Sequence, residues 1–182
     1  MTDQQIIESI LKGRTSDFAL IIRQYGATIR HFVERTIRQR EDAEEVAQDI
    51  FVKAFQRLST YDAERVSLKS LLLGIAYHEV LMWLRKNQRQ TIHLESDALH
   101  EETTDDEAER LLAEVRGQRI QALQEAVTQL SHEDQMLLQL YYREELPLKE
   151  IASVAGHDHL YLATRLQRIR KRLCTIIKRI ER

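Results

Sequence analysis

Ala43, Val46, Ala47, Ile50, Phe51, Ala54, Phe55 and Leu58 follow one another at i, i+3, i+4, i+7, i+8, i+11, i+12 and i+15. That spacing draws one apolar stripe along about four turns of α-helix and cannot suit a strand, whose side chains alternate with period two. The rest of the chain has the same character. Five glycines and the single proline, Pro147, in 182 residues are too few for a turn-rich β protein. Glu, Lys, Arg, Gln, Leu and Ala dominate, and all favour helix. The expected fold class is all-α.

An apolar content of 43% is enough for a core, and the length allows one ordinary domain or two small ones. The lone Cys174 excludes an intramolecular disulfide and a multi-cysteine zinc site. Beside Leu173 on the last helix, it reads as a half-buried thiol. The run from Leu71 to Leu84 is the most apolar, but at 1.5 Å per residue it spans about 21 Å against a bilayer core of about 30 Å. It is expected to be a buried helix. The start, MTDQQIIESILKGR, lacks the basic-then-apolar order of a signal peptide, so a cytoplasmic protein is expected.

Charge is segregated. Between Thr91 and Gln118, nine acidic residues, densest at Glu101, Glu102, Asp105, Asp106 and Glu107, face only Arg110 and Arg116, a net −7. Between Tyr161 and Arg182, eight basic residues face only Glu181, a net +7. The formal −2 of the whole chain hides two opposed poles. Residues 91–107 have little periodicity and read as an acidic linker that could shield the basic terminus. It would join two small helical domains, residues 1–90 and 108–182.

In the first unit, Gly13 should stop a short helix and Ser16 or Asp17 cap the next, which runs to about Gln39. The third helix spans DAEEVAQDIFVKAFQRL, with Asp42, Glu44 and Glu45 crowding a first turn that favours negative charge. The loop LSTYDAERVS, 58 to 67, leads into a fourth helix of about twenty residues ending in RKNQR. In the second unit, helices are expected at 107–129, 132–143, 147–155 and 159–181. Leu130-Ser131 with Glu133 and Asp134 makes a good helix start, and Pro147 sits near a first turn, where its missing N–H is harmless.

The segment KEIASVAGHDHLYLATRLQRIRK reads as helix, tight turn at Gly156, helix. Leu148, Ile151, Ala152 and Ala155 face inward on the first helix; Leu162, Leu166, Ile169 and Leu173 do so on the second. Tyr161, Arg165, Arg168 and Arg172 fall on the opposite face, and Asp158 is placed to cap. This is the pattern of a helix-turn-helix, whose second helix enters the DNA major groove. Charge on an outer helix face is usually mere solvation. Here the compensating glutamates of a solvated helix are missing, and arginine forks suit guanine edges and phosphates. Arg165 and Arg168 are candidates for base or phosphate contact, and Arg170, Lys171, Arg172, Lys178 and Arg179 would meet phosphates or an acidic partner.

Taken in order, DAEEVAQDIFVKAF, SLKSLLLGIAYHEVLMWLRKNQR, the acidic linker and LSHEDQMLLQLYYREELPLKEIASVAG followed by RLQRIRKRL resemble the extracytoplasmic-function sigma factors of bacterial RNA polymerase. The resemblance covers nearly the whole chain. It implies no catalytic activity and no cofactor. The partners it implies are core RNA polymerase, promoter DNA and an anti-sigma factor, with no small-molecule substrate and no insertion into a membrane. Polymerase would be met by Asp42, Glu44, Glu45, Gln48 and Asp49. The promoter −10 element would be captured and melted by Tyr61, Asp62, Arg65, Tyr77, His78, Arg85 and Lys86. The −35 element would be read by His159, Tyr161, Ala163, Arg165, Arg168 and Arg172. The chain departs from the family at Leu71 (usually Trp), Tyr77-His78 (usually Arg-Asn) and Tyr161-Leu162-Ala163 (usually Thr-Val-Lys), positions that bear on which promoter is read. On the apolar face of its helix, Trp83 reads as packing more than as a stacking platform.

Two other functions fit parts of the sequence. A polymerase-independent helix-turn-helix regulator accounts for the C-terminal unit but leaves the acidic DAEEVAQD helix without a task. A metal-dependent nuclease using Asp42, Glu45 and Asp49 would draw every ligand from one helix, with no histidine nearby in sequence.

Overall fold

The computed structural model describes residues 1–87 and 107–180, and among these there are helices and turns but no strand. The protein is all-α, as the periodicity requires. The acidic stretch 91–107 falls almost wholly outside the described residues.

Helix α1 (Asp3–Leu11) opens on a reciprocal capping box in which Thr2 and Gln5 satisfy each other's backbone N–H groups. Gly13, at φ 99°, follows its end in a conformation that glycine adopts without strain. Asp17 does not cap α2 (Phe18–Glu34); it instead accepts a hydrogen bond from the Ser9 hydroxyl, tying α1 to the start of α2. A second tie is the Tyr25 hydroxyl, which donates to Asp3 at 2.6 Å. Partial burial, then the Asp3 carboxylate, holds that phenol well above its ordinary pKa.

Helix α2 stops at Glu34 instead of running to Gln39. The chain turns there and drives Ile37 into the core, so α3 (Arg40–Arg57) begins two residues earlier than its acidic run suggests. Ala43, Val46, Ile50 and Ala54 are its buried stripe; Ala47 and Phe51 are half-buried and Phe55 exposed, so the apolar face is narrower than the sequence pattern. After a 3-10 turn (Leu58–Thr60), α4 (Leu68–Asn87) is apolar nearly all round and buried along most of its length. It packs against α2 and α3 on one side and against α7 on the other. A helix enclosed from both sides needs no polar face, which explains the run from Leu71 to Leu84.

The remaining described residues form α5 (Glu107–Thr128), α6 (His132–Leu138), a π-helical turn (Gln139–Arg143), α7 (Leu148–Ala155) and α8 (His159–Ile180). Ser131 caps α6 through the Asp134 N–H, and Asp158 accepts from the Leu160 and Tyr161 N–H groups at 2.8 and 3.2 Å to start α8. Gly156 takes the left-handed φ of 69° that ends α7. Leu162, Leu166, Ile169 and Leu173 are buried, as their spacing demands. Cys174 next to them is exposed, not half-buried: it falls one residue beyond the apolar stripe.

Candidate nucleic-acid interface

This packing places three groups of candidate side chains. The first is the outer face of α3. With the helix starting at Arg40, the first-turn acids are Glu41 and Asp42, and the dipole explanation no longer reaches Glu44 or Glu45. Asp42 is half-buried, and Glu44 pairs with Arg40 at 2.9 Å one turn back. Glu45, Gln48 and Asp49 are exposed and make no side-chain hydrogen bond or ion pair among the described residues. In their midst Val52 is 56% exposed. At 100° per residue it projects between Gln48 and Asp49, an apolar knob ringed by acid and amide.

The second group lies on the loop before α4 and on α4 itself. The Tyr61 ring packs half-buried on the core and its hydroxyl donates to the Val66 carbonyl at 3.0 Å, closing the loop; burial, ahead of the Asp3 charge, raises its pKa. Asp62 accepts from the Glu64 N–H at 3.0 Å and Arg65 is exposed. Tyr77 is buried, with its phenol pKa raised first by desolvation and then by the Glu133 charge. His78 donates through Nε2 to the Val154 carbonyl on α7 at 2.8 Å. Arg85 and Lys86 are exposed in the last turn of α4. Trp83 packs against the core from its edge.

The third group is the outer face of α8. A cleft of about 290 Å³ is lined by Asp134, Tyr161, Arg165, Arg168, Ile169 and Arg172. Arg168 and Arg172 are exposed, with no side-chain partner among the described residues. Arg165 differs: it donates from Nε to Asp134 at 2.7 Å and from a terminal nitrogen to Glu133 at 3.0 Å. Burial works against its charge, but the two carboxylates outweigh it and hold the guanidinium above its already high pKa. Its fork is occupied within the fold, binding α8 to α6. His159 is exposed at the helix start, Ala163 is half-buried, and Tyr161 rests beside His157 with ring centroids 5.2 Å apart.

Residues 21–90, which contain most of α2 and all of α3 and α4, match the family described as Sigma-70 region 2. RNA polymerase sigma factor YlaC of Bacillus subtilis is 29% identical over 154 residues, covering 84% of this chain and 87% of that protein. Residues 21–90 thus carry a Sigma-70 region 2 domain, and over most of its length the chain is similar to RNA polymerase sigma factors. RNA polymerase sigma-H factor of Pseudomonas aeruginosa is 24% identical over 156 residues, 86% of this chain and 79% of the relative. The fold is shared with CnrH, solved in complex with the cytosolic domain of CnrY, at a TM-score of 0.65 and 18% identity over 97% of each chain. It is shared too with RpoE of Bartonella quintana, solved with the anti-sigma factor NepR, at 0.62 and 20% over 89% of this chain and 97% of that one.

The helix that carries the second group, α4, meets α7, the helix that precedes α8. Glu150 on α7 accepts from the Ser67 hydroxyl at 2.9 Å, from the Ser67 N–H at 3.2 Å and, more closely, from the Ser70 hydroxyl. These donors, Ser70 foremost, hold its carboxyl below the usual carboxylate range. Lys69 pairs with Glu144 at 3.1 Å. The seam between α4 and α7 covers Tyr77 and engages His78. Sequence reading missed Glu150, Ser67 and Ser70, since nothing local pairs residues eighty apart. Val52 was visible as an apolar residue off the stripe.

Proposed function

We propose that the protein binds core RNA polymerase, brings it to the −35 and −10 elements of a promoter, and helps open the duplex. The observation that carries this reading is the acidic face of α3 inside the region 2 match. Glu45, Gln48 and Asp49 make no side-chain hydrogen bond or ion pair among the described residues, and Ala43, Val46, Ile50 and Ala54 are buried on the helix without them. Such a surface suits a basic partner, with complementarity setting encounter rate and register. Asp42 and Glu44 flank it.

Arg168 and Arg172, with His159, Tyr161 and Ala163 beside them, form the −35 surface on the second helix of a helix-turn-helix, and Arg165 positions that helix. Tyr61, Asp62, Arg65, Tyr77, His78, Arg85 and Lys86 form the −10 surface. The two elements lie about 25 base pairs apart, about 85 Å of duplex at 3.4 Å per pair. One chain cannot read both while α4 and α7 touch, so promoter engagement requires that seam to part. The two contacts then reinforce each other through effective concentration. A partner of the anti-sigma class, as in the complex of RpoE with NepR, would act by holding the factor away from polymerase. The protein works as an initiation factor without catalysis of its own, in the cytoplasm with polymerase.

The test is a pull-down of bacterial core RNA polymerase with the wild type and a Glu45→Lys, Asp49→Lys double variant. Stoichiometric capture by the wild type, lost in the variant, supports the reading. Equal capture by both moves the main contact elsewhere. No capture by either, with tight specific DNA binding by the free chain, makes the protein an autonomous regulator.

A further inference from the structure

We infer that the protein carries a phosphate-binding cleft between the end of α2 and the π-helical turn, formed by His31, Arg35, Arg38 and Arg143 around Glu34. The cleft measures about 220 Å³ and gathers three guanidinium groups and an imidazole against one carboxylate. Arg35 caps the C-terminus of α2, and Arg143 ends the π-helical turn. Each helix end favours a cation, which accounts for arginine at either place. It does not by itself account for their convergence on one cleft, where the single carboxylate of Glu34 leaves the exposed side chains of Arg35 and Arg143 as a net positive surface.

The backbone around Arg143 is irregular on both sides. A π-helical turn precedes it, and Glu145 beyond it holds a φ of 54°, the left-handed region that costs a non-glycine residue about 1 kcal/mol or more. The strain is held by specific bonds. Lys69 donates to the Glu144 carbonyl at 2.9 Å and pairs with its carboxylate, while the Leu146 N–H reaches the Leu140 carbonyl at 3.1 Å. Glu144 is thereby committed to Lys69, and its neighbour Arg143 is left lining the cleft. Neither Arg35 nor Arg143 makes a side-chain hydrogen bond or ion pair among the described residues.

Arginine forks match phosphoryl oxygens two at a time. A simple carboxylate fills one fork, whereas a phosphate or diphosphate offers oxygens to several. The ligand class is therefore a phosphate-bearing anion, either a free phosphate compound or the backbone of a nucleic acid. Because the cleft exists only while α2 and the π-helical turn stay together, its ligand also favours the arrangement in which α4 and α7 touch.

Inorganic pyrophosphate, titrated calorimetrically into the full chain without divalent metal and at matched ionic strength, tests this. Saturable one-to-one binding is expected, weakened at least tenfold by Arg35→Ala and by Arg143→Ala and unchanged by Arg23→Ala, an exposed residue elsewhere on α2. A mixed-sequence single-stranded oligonucleotide that competes with pyrophosphate identifies nucleic-acid backbone as the source. Failure to compete identifies a free phosphate compound. Absent saturation, or equal weakening in all three variants, overturns the site. Polymerase takes no part in the experiment, so its result is independent of the sigma-factor reading.

Discussion

Gly74 on α4 lies so near Val154 on α7 that a Cβ built on the glycine would stand 2.4 Å from the valine Cβ, closer than carbon atoms approach. The two helices meet where only hydrogen fits. Gly74→Ala improves the intrinsic helicity of α4 by about 1 kcal/mol, so α4 itself is not weakened, yet the added methyl must push α7 away. Overpacking of this kind costs about 1–3 kcal/mol. Amide hydrogen exchange in α7 should accelerate roughly tenfold or more, while α1 and α2 keep their protection. Unchanged exchange in α7 would show that the seam gives way to a methyl and is not a tight contact.

The pH dependence of the same seam has a definite sign. The Glu150 carboxyl is held below its ordinary range by Ser70 and Ser67, and that range centres on about 4.3. Its contribution is therefore fully present above the ordinary value and is lost as pH falls through the depressed value of the closed arrangement. A distance probe between α3 and α8 should report separation in acid that precedes general unfolding. In Glu150→Gln the acid-dependent step should vanish, with the seam already looser at neutral pH. A Glu150→Gln protein with the wild-type acid transition would assign that step to another group.

How much of this was legible beforehand follows from the range over which each interaction acts. The stripe from Ala43 to Leu58, the inward leucines of α8, the Ser131 and Asp158 caps and the turn at Gly156 are all local, and helical period plus turn chemistry suffices for them. The exposed polar residues Glu45, Gln48 and Asp49 were legible too, as residues off that stripe. The end of α2 was not, because what stops it is the burial of Ile37, a tertiary effect. Arg165 looked equivalent to Arg168 and Arg172 by spacing alone. Only the fold brings Glu133 and Asp134 to it. The Glu150 network and the cleft lined by Arg35 and Arg143 bring distant segments together, and no periodicity encodes them.

The difference among those arginines is measurable. Removing Arg165 leaves Glu133 and Asp134 without their partner, and charge-assisted bonds of this partly buried kind contribute about 2 kcal/mol. Arg165→Ala should lower the thermal midpoint clearly, whereas Arg168→Ala and Arg172→Ala, at exposed positions, should stay within about 0.5 kcal/mol of the wild type. On duplex DNA carrying the −35 element the order reverses in kind: Arg168→Ala and Arg172→Ala should each reduce the salt dependence of binding by about one unit of slope if they meet phosphate. A stable Arg165→Ala protein with a reduced slope would place Arg165 on DNA after all.

Val52 provides the sharpest test of the α3 surface. Interfaces that bind tightly centre on an apolar contact ringed by polar groups, and Val52 amid Glu45, Gln48 and Asp49 has that arrangement in miniature. Its side chain is 56% exposed, so Val52→Ala should change stability by no more than about 0.5 kcal/mol. If polymerase buries it, the two lost carbons cost about 1–1.5 kcal/mol, a weakening of roughly tenfold in core affinity. That loss should persist at high salt, because burial of apolar surface is not screened, while the loss in Glu45→Lys should shrink as salt rises. Competition binding against the wild type at two salt concentrations separates the two effects. An affinity unaffected by Val52→Ala would mean that the acidic face acts through charge alone and that polymerase contacts its rim without closing over its centre.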